Sequence, residues 1–269
     1  MPTMMGRLAP LLILLLATPA SAFAFPLPPA ASGRVVEVID GDTVRLESRR
    51  EVRLVGIQAP KLPLGRRGFA EWPLAGEARA KLAALIGEQP VTLHHGGARE
   101  DRHGRFLAHL TVGPATGGGA LWLQGEMLRA GLARVYSFPD NRALVAEMLA
   151  LERAARAERR GIWADRYYRI RQPDDLARDI DSFQLVEGRV LGAAMTKDRA
   201  YLNFGDDYRR DFTVAIARRD LKLFGRDGDS KTWTETWQGR SIRVRGWLKL
   251  LNGPMIEATH PEQIEVLNP

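Results

Sequence analysis

The 269 residues predict a mainly β chain with helices: two small β-barrels in series, the first carrying three helices and the second a short one. Three observations lead there. Short β-branched or alternating runs recur between turn signals from Arg34 to Val112. Three stretches of helical periodicity are set among and after those runs. Beyond a charged break at Arg166 to Asp181, the β pattern resumes and continues to the C-terminal end.

Each element has its own signal. Val35, Val36, Val38 and Ile39 lead to a turn at Asp40-Gly41-Asp42 and a return through Val44-Arg45-Leu46. The run Val52 to Ile57 alternates like a half-buried strand, and Pro60 closes it. Leu62 to Pro73 is a Gly/Pro-punctuated loop with Arg66 and Arg67. A helix from Ala75 places Ala78, Leu82 and Ile86 on one stripe and stops at Gly87. Val91 to Leu93 and Phe106 to Val112 read as strands. Leu121 to Ala130 and Arg142 to Arg159 read as helices, the latter with Leu144, Met148, Leu151 and Ala155 on one face. Five strands and three helices suit a closed barrel with helices packed on it.

In the second half, Val186 to Leu191, Ala200 to Phe204 and Phe212 to Ile216 precede a short helix at Arg218 to Phe224. After a polar loop come Ile242 to Leu251 and Met255 to Ala258. Five strands with a helix between the third and fourth is the order of an OB-fold barrel. Its aromatics, among them Tyr201, Tyr208 and Trp247, are interleaved with Arg243, Arg245 and other arginines, a pattern that serves either strand binding or packing.

At the N-terminus, Arg7 precedes an apolar run from Leu8 to Ala17 and a small-residue Ala20-Ser21-Ala22 site, with Ala22-Phe23-Ala24 as a second frame. That is the layout of a secretory signal peptide, and the run is too short to span a bilayer. The expected organisation is a leader at 1–24, a first domain at 25–165, a linker at 166–181 and a second domain at 182–269. The mature chain is then expected in the periplasm or medium, without a membrane span. The chain has no cysteine, which excludes disulfides, thiolate metal sites and a cysteine nucleophile. A net charge of +7, or +6 without Arg7, favours phosphate-rich partners.

The chemistry-bearing residues come in an ordered set: Asp40-Gly41-Asp42-Thr43 between strands, Arg53 in a strand, Ala59-Pro60, and Asp101-Arg102-His103-Gly104-Arg105 before another strand. Gly131-Leu132-Ala133 and Gly161-Ile162-Trp163 then follow helices. Alone, Asp-Gly signals a hairpin turn. Together the pieces resemble the staphylococcal nuclease (thermonuclease) family over Gly33 to Ala164. The resemblance implies an OB barrel with three helices that hydrolyses DNA and RNA phosphodiesters with one calcium ion. In that family acidic groups hold the ion, a glutamate activates water and two arginines clamp the phosphate.

Carried over, the phosphate arginines are Arg53 and Arg105, the metal acid is Asp42, and Asp40 stands behind it or shapes the turn. Arginine suits that role because its planar fork grips phosphate bidentately and stays charged. Arg102 and His103 are further candidates for nucleic-acid contact, and Tyr136 is a third: with Phe138 it lies near the segment whose aromatics stack on a base in that family, though out of its register.

This chain departs from the family where an Asp-Thr-Pro-Glu-like run is expected. It reads Gln58-Ala59-Pro60-Lys61. Gln58 still offers a neutral oxygen, and the Ala59 carbonyl is unaffected. Lys61, in place of the general base, has no acceptor and repels a cation. Two unit charges about 4 Å apart interact by about 4 kcal/mol near a protein surface, and a divalent ion doubles that. Calcium binding is therefore expected to be weak. Lys61 could instead take the cation's place beside Arg53 and Arg105, and Glu71 or Glu77 could stand in as base. The leading expectation is an exported protein acting on DNA or RNA with calcium chemistry impaired. The alternatives are an active secreted nuclease with a substituted base, and a non-catalytic envelope interaction module.

Overall fold

The computed structural model describes residues 25–113, 119–225 and 230–267; the expected leader lies outside them. The chain is a mixed α/β protein with two sheet-rich regions and few helices. No helix among the described residues is long and apolar enough to cross a membrane.

The first region comprises β1 (Ala31–Gly33), β2 (Val35–Asp40), β3 (Thr43–Leu46), β4 (Glu51–Leu54), β5 (Gly56–Gln58), α1 (Ala75–Ile86), β6 (Val91–His94), β7 (Phe106–Val112), β8 (Leu121–Trp122), α2 (Leu123–Arg129), β9 (Arg134–Tyr136) and α3 (Val145–Ala157). A seven-stranded sheet runs β1-β6-β7-β4-β3-β2, with β8 beside β7. The three helices cover its core, where Val44, Leu54, Leu82, Leu110, Leu123, Met127 and Met148 are fully buried. The Pro-rich lead-in supplies β1, which pairs with β6.

The alternating run Val52 to Ile57 is two strands, not one. Gly56 has φ +85°, and a Cβ there would overlap the Met148 side chain. The chain therefore leaves the β4 ladder, and β5 pairs with β9, setting Gln58 opposite Arg134. Gly41 has a different reason to be glycine. Its φ is outside the left-handed region, but a Cβ would stand 2.6 Å from the Cβ of Ala59 and 2.7 Å from that of Ala78. The Asp40–Asp42 turn is thus pressed against α1 and the end of β5.

Gly131 and Gly161, the glycines ending the last two helical stretches, meet back to back. Both have positive φ, a Cβ on Gly131 would overlap the Arg160 carbonyl, and one on Gly161 would overlap that of Gly131. The Ile162 N–H donates to the Gly131 carbonyl at 2.8 Å. Gly131→Ala is expected to lose about 1–3 kcal/mol in urea unfolding, from left-handed strain and overlap with immovable backbone.

The second region contains β10 (Ser182–Arg189), β11 (Gly192–Met195), β12 (Arg199–Asn203), β13 (Thr213–Ala217), α4 (Ser230–Trp237), β14 (Ser241–Leu250), β15 (Pro254–Glu257) and β16 (Ile264–Val266). Its sheet runs β10-β14-β15-β13-β12-β11, with β16 beside β14. Val186, Leu202, Phe212, Ile216, Trp233 and Val244 belong to its separate core. The expected helix at Arg218–Phe224 is a 3-10 helix. The expected polar loop after it contains α4, whose short polar sequence hides its helical period.

The expected linker is tied down. Tyr168 is buried and its hydroxyl donates to the Pro73 carbonyl at 2.7 Å. Arg171 pairs with Asp179 at 2.8 Å, and Leu176 joins the second core. The two regions also meet directly. Arg245 of β14 is no strand-binding cation: it is buried between Glu152 of α3, at 2.9 Å, and Glu265 of β16, at 2.5 Å. Glu152 also accepts the Val135 N–H at 2.6 Å and pairs with Arg156 at 3.0 Å. Arg142 forms a bidentate pair with Glu262, and His260 Nε2 lies 2.7 Å from the Ser137 hydroxyl.

Burial pushes the His260 pKa down to about 4; Glu262 and Asp140 oppose that, while Arg142 and Arg245 reinforce it. The unfolded chain therefore takes up a proton near 6.5 that the folded chain refuses until about 4. Stability present above pH 6.5 is lost as the pH falls through that window, by roughly 2 kcal/mol at pH 5 from this group. Buried His109, also held near 4, acts with the same sign. Melting temperatures are expected to fall from pH 7 to pH 5, and His260→Gln is expected to flatten the fall.

Candidate nucleic-acid interface

The tight approach of the Gly41 turn to Ala59 builds the site. Asp42 is completely buried, and its Oδ2 accepts the Ala59 N–H at 2.7 Å. Lys61 closes over the turn: its Nζ lies 2.6 and 2.7 Å from the two oxygens of Asp42 and 3.1 Å from Asp40 Oδ2. Arg53, on β4, reaches Asp42 Oδ2 at 3.3 Å. Its guanidinium is further anchored by the carbonyls of Asp42, Leu54 and Ile57.

Two carboxylates and two cations thus cancel in one cluster. Burial alone would push the Asp42 pKa up, but Arg53 and Lys61 hold it well below the ordinary carboxylate range. Asp40 moves the other way. Burial and the neighbouring Asp42 charge raise its pKa, against the pull of Lys61. It also accepts the Asp42 N–H at 3.0 Å, holding the turn.

These donors do not fit calcium, which takes six to eight oxygens. The Asp42 carboxylate is shared by an ammonium, a guanidinium and a backbone N–H. Gln58, expected to lend its oxygen to a metal, lends it to Arg134 at 2.9 and 2.7 Å instead. The break at Gly56 and the β5–β9 register turn it that way. Among the described residues no three acidic or histidine side chains gather to hold a metal. Arg134, buried with this neutral oxygen and with its guanidinium over the Phe183 ring at 4.7 Å, has its pKa lowered to about 10 by burial.

Beside the cluster lies a cleft of about 520 Å³, lined by Arg53, Arg102, His103, Arg105, Tyr136, Phe138 and Trp247. Arg105 is fixed by Asp101, which accepts its Nε at 2.8 Å and lies 2.7 Å from Nη2, leaving the guanidinium part-exposed. The cleft therefore unites Arg53, Arg105, Arg102, His103 and Tyr136, while buried Asp40, Asp42 and Ala59 form the adjoining cluster, with Lys61 half-buried over it. Glu71 and Glu77 are exposed and do not line the cleft. Arg66 instead lies over the Phe69 ring.

Sequence reasoning missed Arg134 and the place of Trp247. Arg134 lies 76 residues from Gln58, and no local pattern pairs them. Trp247 was legible only as one aromatic among several in the second half.

Two fixed arginines beside exposed aromatic rings are groups of the kind that can grip phosphate and stack on bases. Comparison with known proteins is more specific. The family model described as staphylococcal nuclease homologue matches residues 51–165. Protein ParB of Escherichia coli is 33% identical over 179 residues, covering 60% of this chain and 85% of that protein. Micrococcal nuclease of Shigella flexneri is 32% identical over 139 residues, 49% of this chain and 74% of that one. Thermonuclease of Staphylococcus hyicus is 23% identical over 135 residues, 49% and 75% respectively. The chain belongs to the staphylococcal nuclease family.

Proposed function

We propose that the protein is an exported nucleic-acid-acting member of this family in which Lys61 takes the cation's position. On this reading Arg53 and Arg105 grip a phosphodiester without calcium, and calcium-dependent hydrolysis is impaired. The observation that carries it is Lys61 Nζ on both oxygens of buried Asp42. Fixed positive charge at the cleft serves phosphate binding in any case, since it is already oriented before the ligand arrives. We take each sheet-rich region as an OB-like barrel, at 25–165 and 182–269, and residues 1–24 as a removed leader. N-terminal sequencing of exported protein should then read Phe23 or Phe25.

The test is binding and cleavage of DNA and RNA with calcium, magnesium or chelator in parallel. Binding should weaken steeply with salt, because phosphate contacts release counterions, and should be indifferent to chelator. Strong calcium-dependent cleavage by the parent protein would defeat the reading. An active nuclease with a substituted base could use His103, whose Nε2 accepts from Arg102 at 3.2 Å, or one of the carboxylates Glu100, Asp101 and Asp140 that line the same cleft. Chelator-resistant cleavage lost in His103→Ala would favour it. Absence of salt-sensitive binding would favour an envelope interaction module.

A further inference from the structure

Resting on the reading that the cleft holds nucleic acid, we infer that Trp247, supplied by the second region, stacks on an unpaired base. The strand gripped by Arg53 and Arg105 then continues across the junction, and the second region is part of the substrate track.

The cleft does not end at the first region. A neighbouring groove of about 280 Å³, lined by Phe183, Lys249 and Glu257, shares Tyr136, Phe138 and Trp247 with it. These three aromatics stand between the two hollows. Trp247 is 46% exposed and Phe138 45%, unusual for such large apolar rings.

Their exposure is not looseness. The Trp247 indole N–H donates to the Tyr136 hydroxyl at 2.7 Å. Residue 247 pairs with Phe183 in the β10–β14 ladder, and the Tyr136 ring meets Phe183 and Phe138 edge-on at 4.7 and 4.9 Å. A ring already fixed at its polar edge loses little freedom on receiving a base, and every base has a face to stack. Lys249, two residues further along β14 and so on the same face, brings a cation to the far groove. Bases in a duplex are already stacked and paired, so only an unpaired base can use this ring.

The experiment is fluorescence anisotropy with a labelled twelve-nucleotide oligothymidylate and a blunt twelve-base-pair duplex, both in chelator. The proteins are the parent, Trp247→Ala, Trp247→Leu, Trp247→Phe and Arg53→Ala, each with its melting temperature recorded. Trp247→Ala and Trp247→Leu should weaken single-strand binding by roughly ten- to hundredfold, while Trp247→Phe retains most of it. Duplex binding should be weaker and insensitive to residue 247. Trp247→Leu keeps apolar bulk, so lost affinity at parental stability marks stacking. Parental single-strand affinity in Trp247→Leu, with Arg53→Ala weakened, would overturn the inference and leave the proposed function standing. No binding by the parent would overturn both.

Discussion

Exchanging Gln58 for aspartate and Lys61 for glutamate is expected to create a calcium-responsive protein from a parent expected to respond little to the ion. In the present cluster Asp40 and Asp42 are balanced by Lys61 and Arg53. The double change removes one positive charge and adds two negatives. Without a cation, buried Asp42 would face Asp40 and a glutamate, so the variant should be less stable than the parent in chelator. Calcium should restore it, by about 2.7 kcal/mol at a hundred times the dissociation constant, and the melting temperature should follow the titration. The lysine is the stronger lever. Gln58 already serves Arg134, and an aspartate there would share its charge with that buried guanidinium. Lys61→Glu alone should therefore respond more than Gln58→Asp alone. Chelator-sensitive nicking of plasmid should accompany the response and vanish on adding Arg53→Ala. Robust parental cleavage that the double change abolishes would instead make Lys61 a working catalytic cation.

Glu152→Ala should cost about 3–5 kcal/mol in urea unfolding, because breaking one side of a buried ion pair leaves the other charge without compensation. Both Arg245 and Glu152 are essentially inaccessible to solvent. The same substitution orphans the Val135 N–H, and Glu265 can satisfy only part of the Arg245 fork. An exposed pair offers the contrast. Glu100→Ala removes a partner from Arg50 at the surface, where the loss should stay within about 1 kcal/mol. Equal effects of the two substitutions would mean that the junction is not a dry one.

How far the fold could be read depended on how local its causes are. The stripe Ala78-Leu82-Ile86 is contained within one helix, and Gly87 stops it, so α1 was legible almost to the residue. The Val52 to Ile57 alternation misled, because the strand breaks at Gly56, which has positive φ and is packed against Met148 of a distant helix, and its second half pairs with β9. At the site, Asp42, Arg53, Arg105 and Lys61 were visible as residue types at the right spacing. The destination of Gln58 was not, since it depends on a strand pairing that only the folded chain makes. The arginines of the second half read alike in sequence, yet Arg245 is buried at a junction and Arg243 pairs with Glu187.

That junction bears on where the chain could be divided. The family match ends at residue 165, and a chain terminated there would strip Glu152 of Arg245 and leave Arg156 as its ion-pair partner. Ser137 and Tyr136 would lose His260 and Trp247, and Arg142 its carboxylate. The end of the family match is thus not the end of the packing: the nuclease-like portion shares buried ion pairs and hydrogen bonds with the second half.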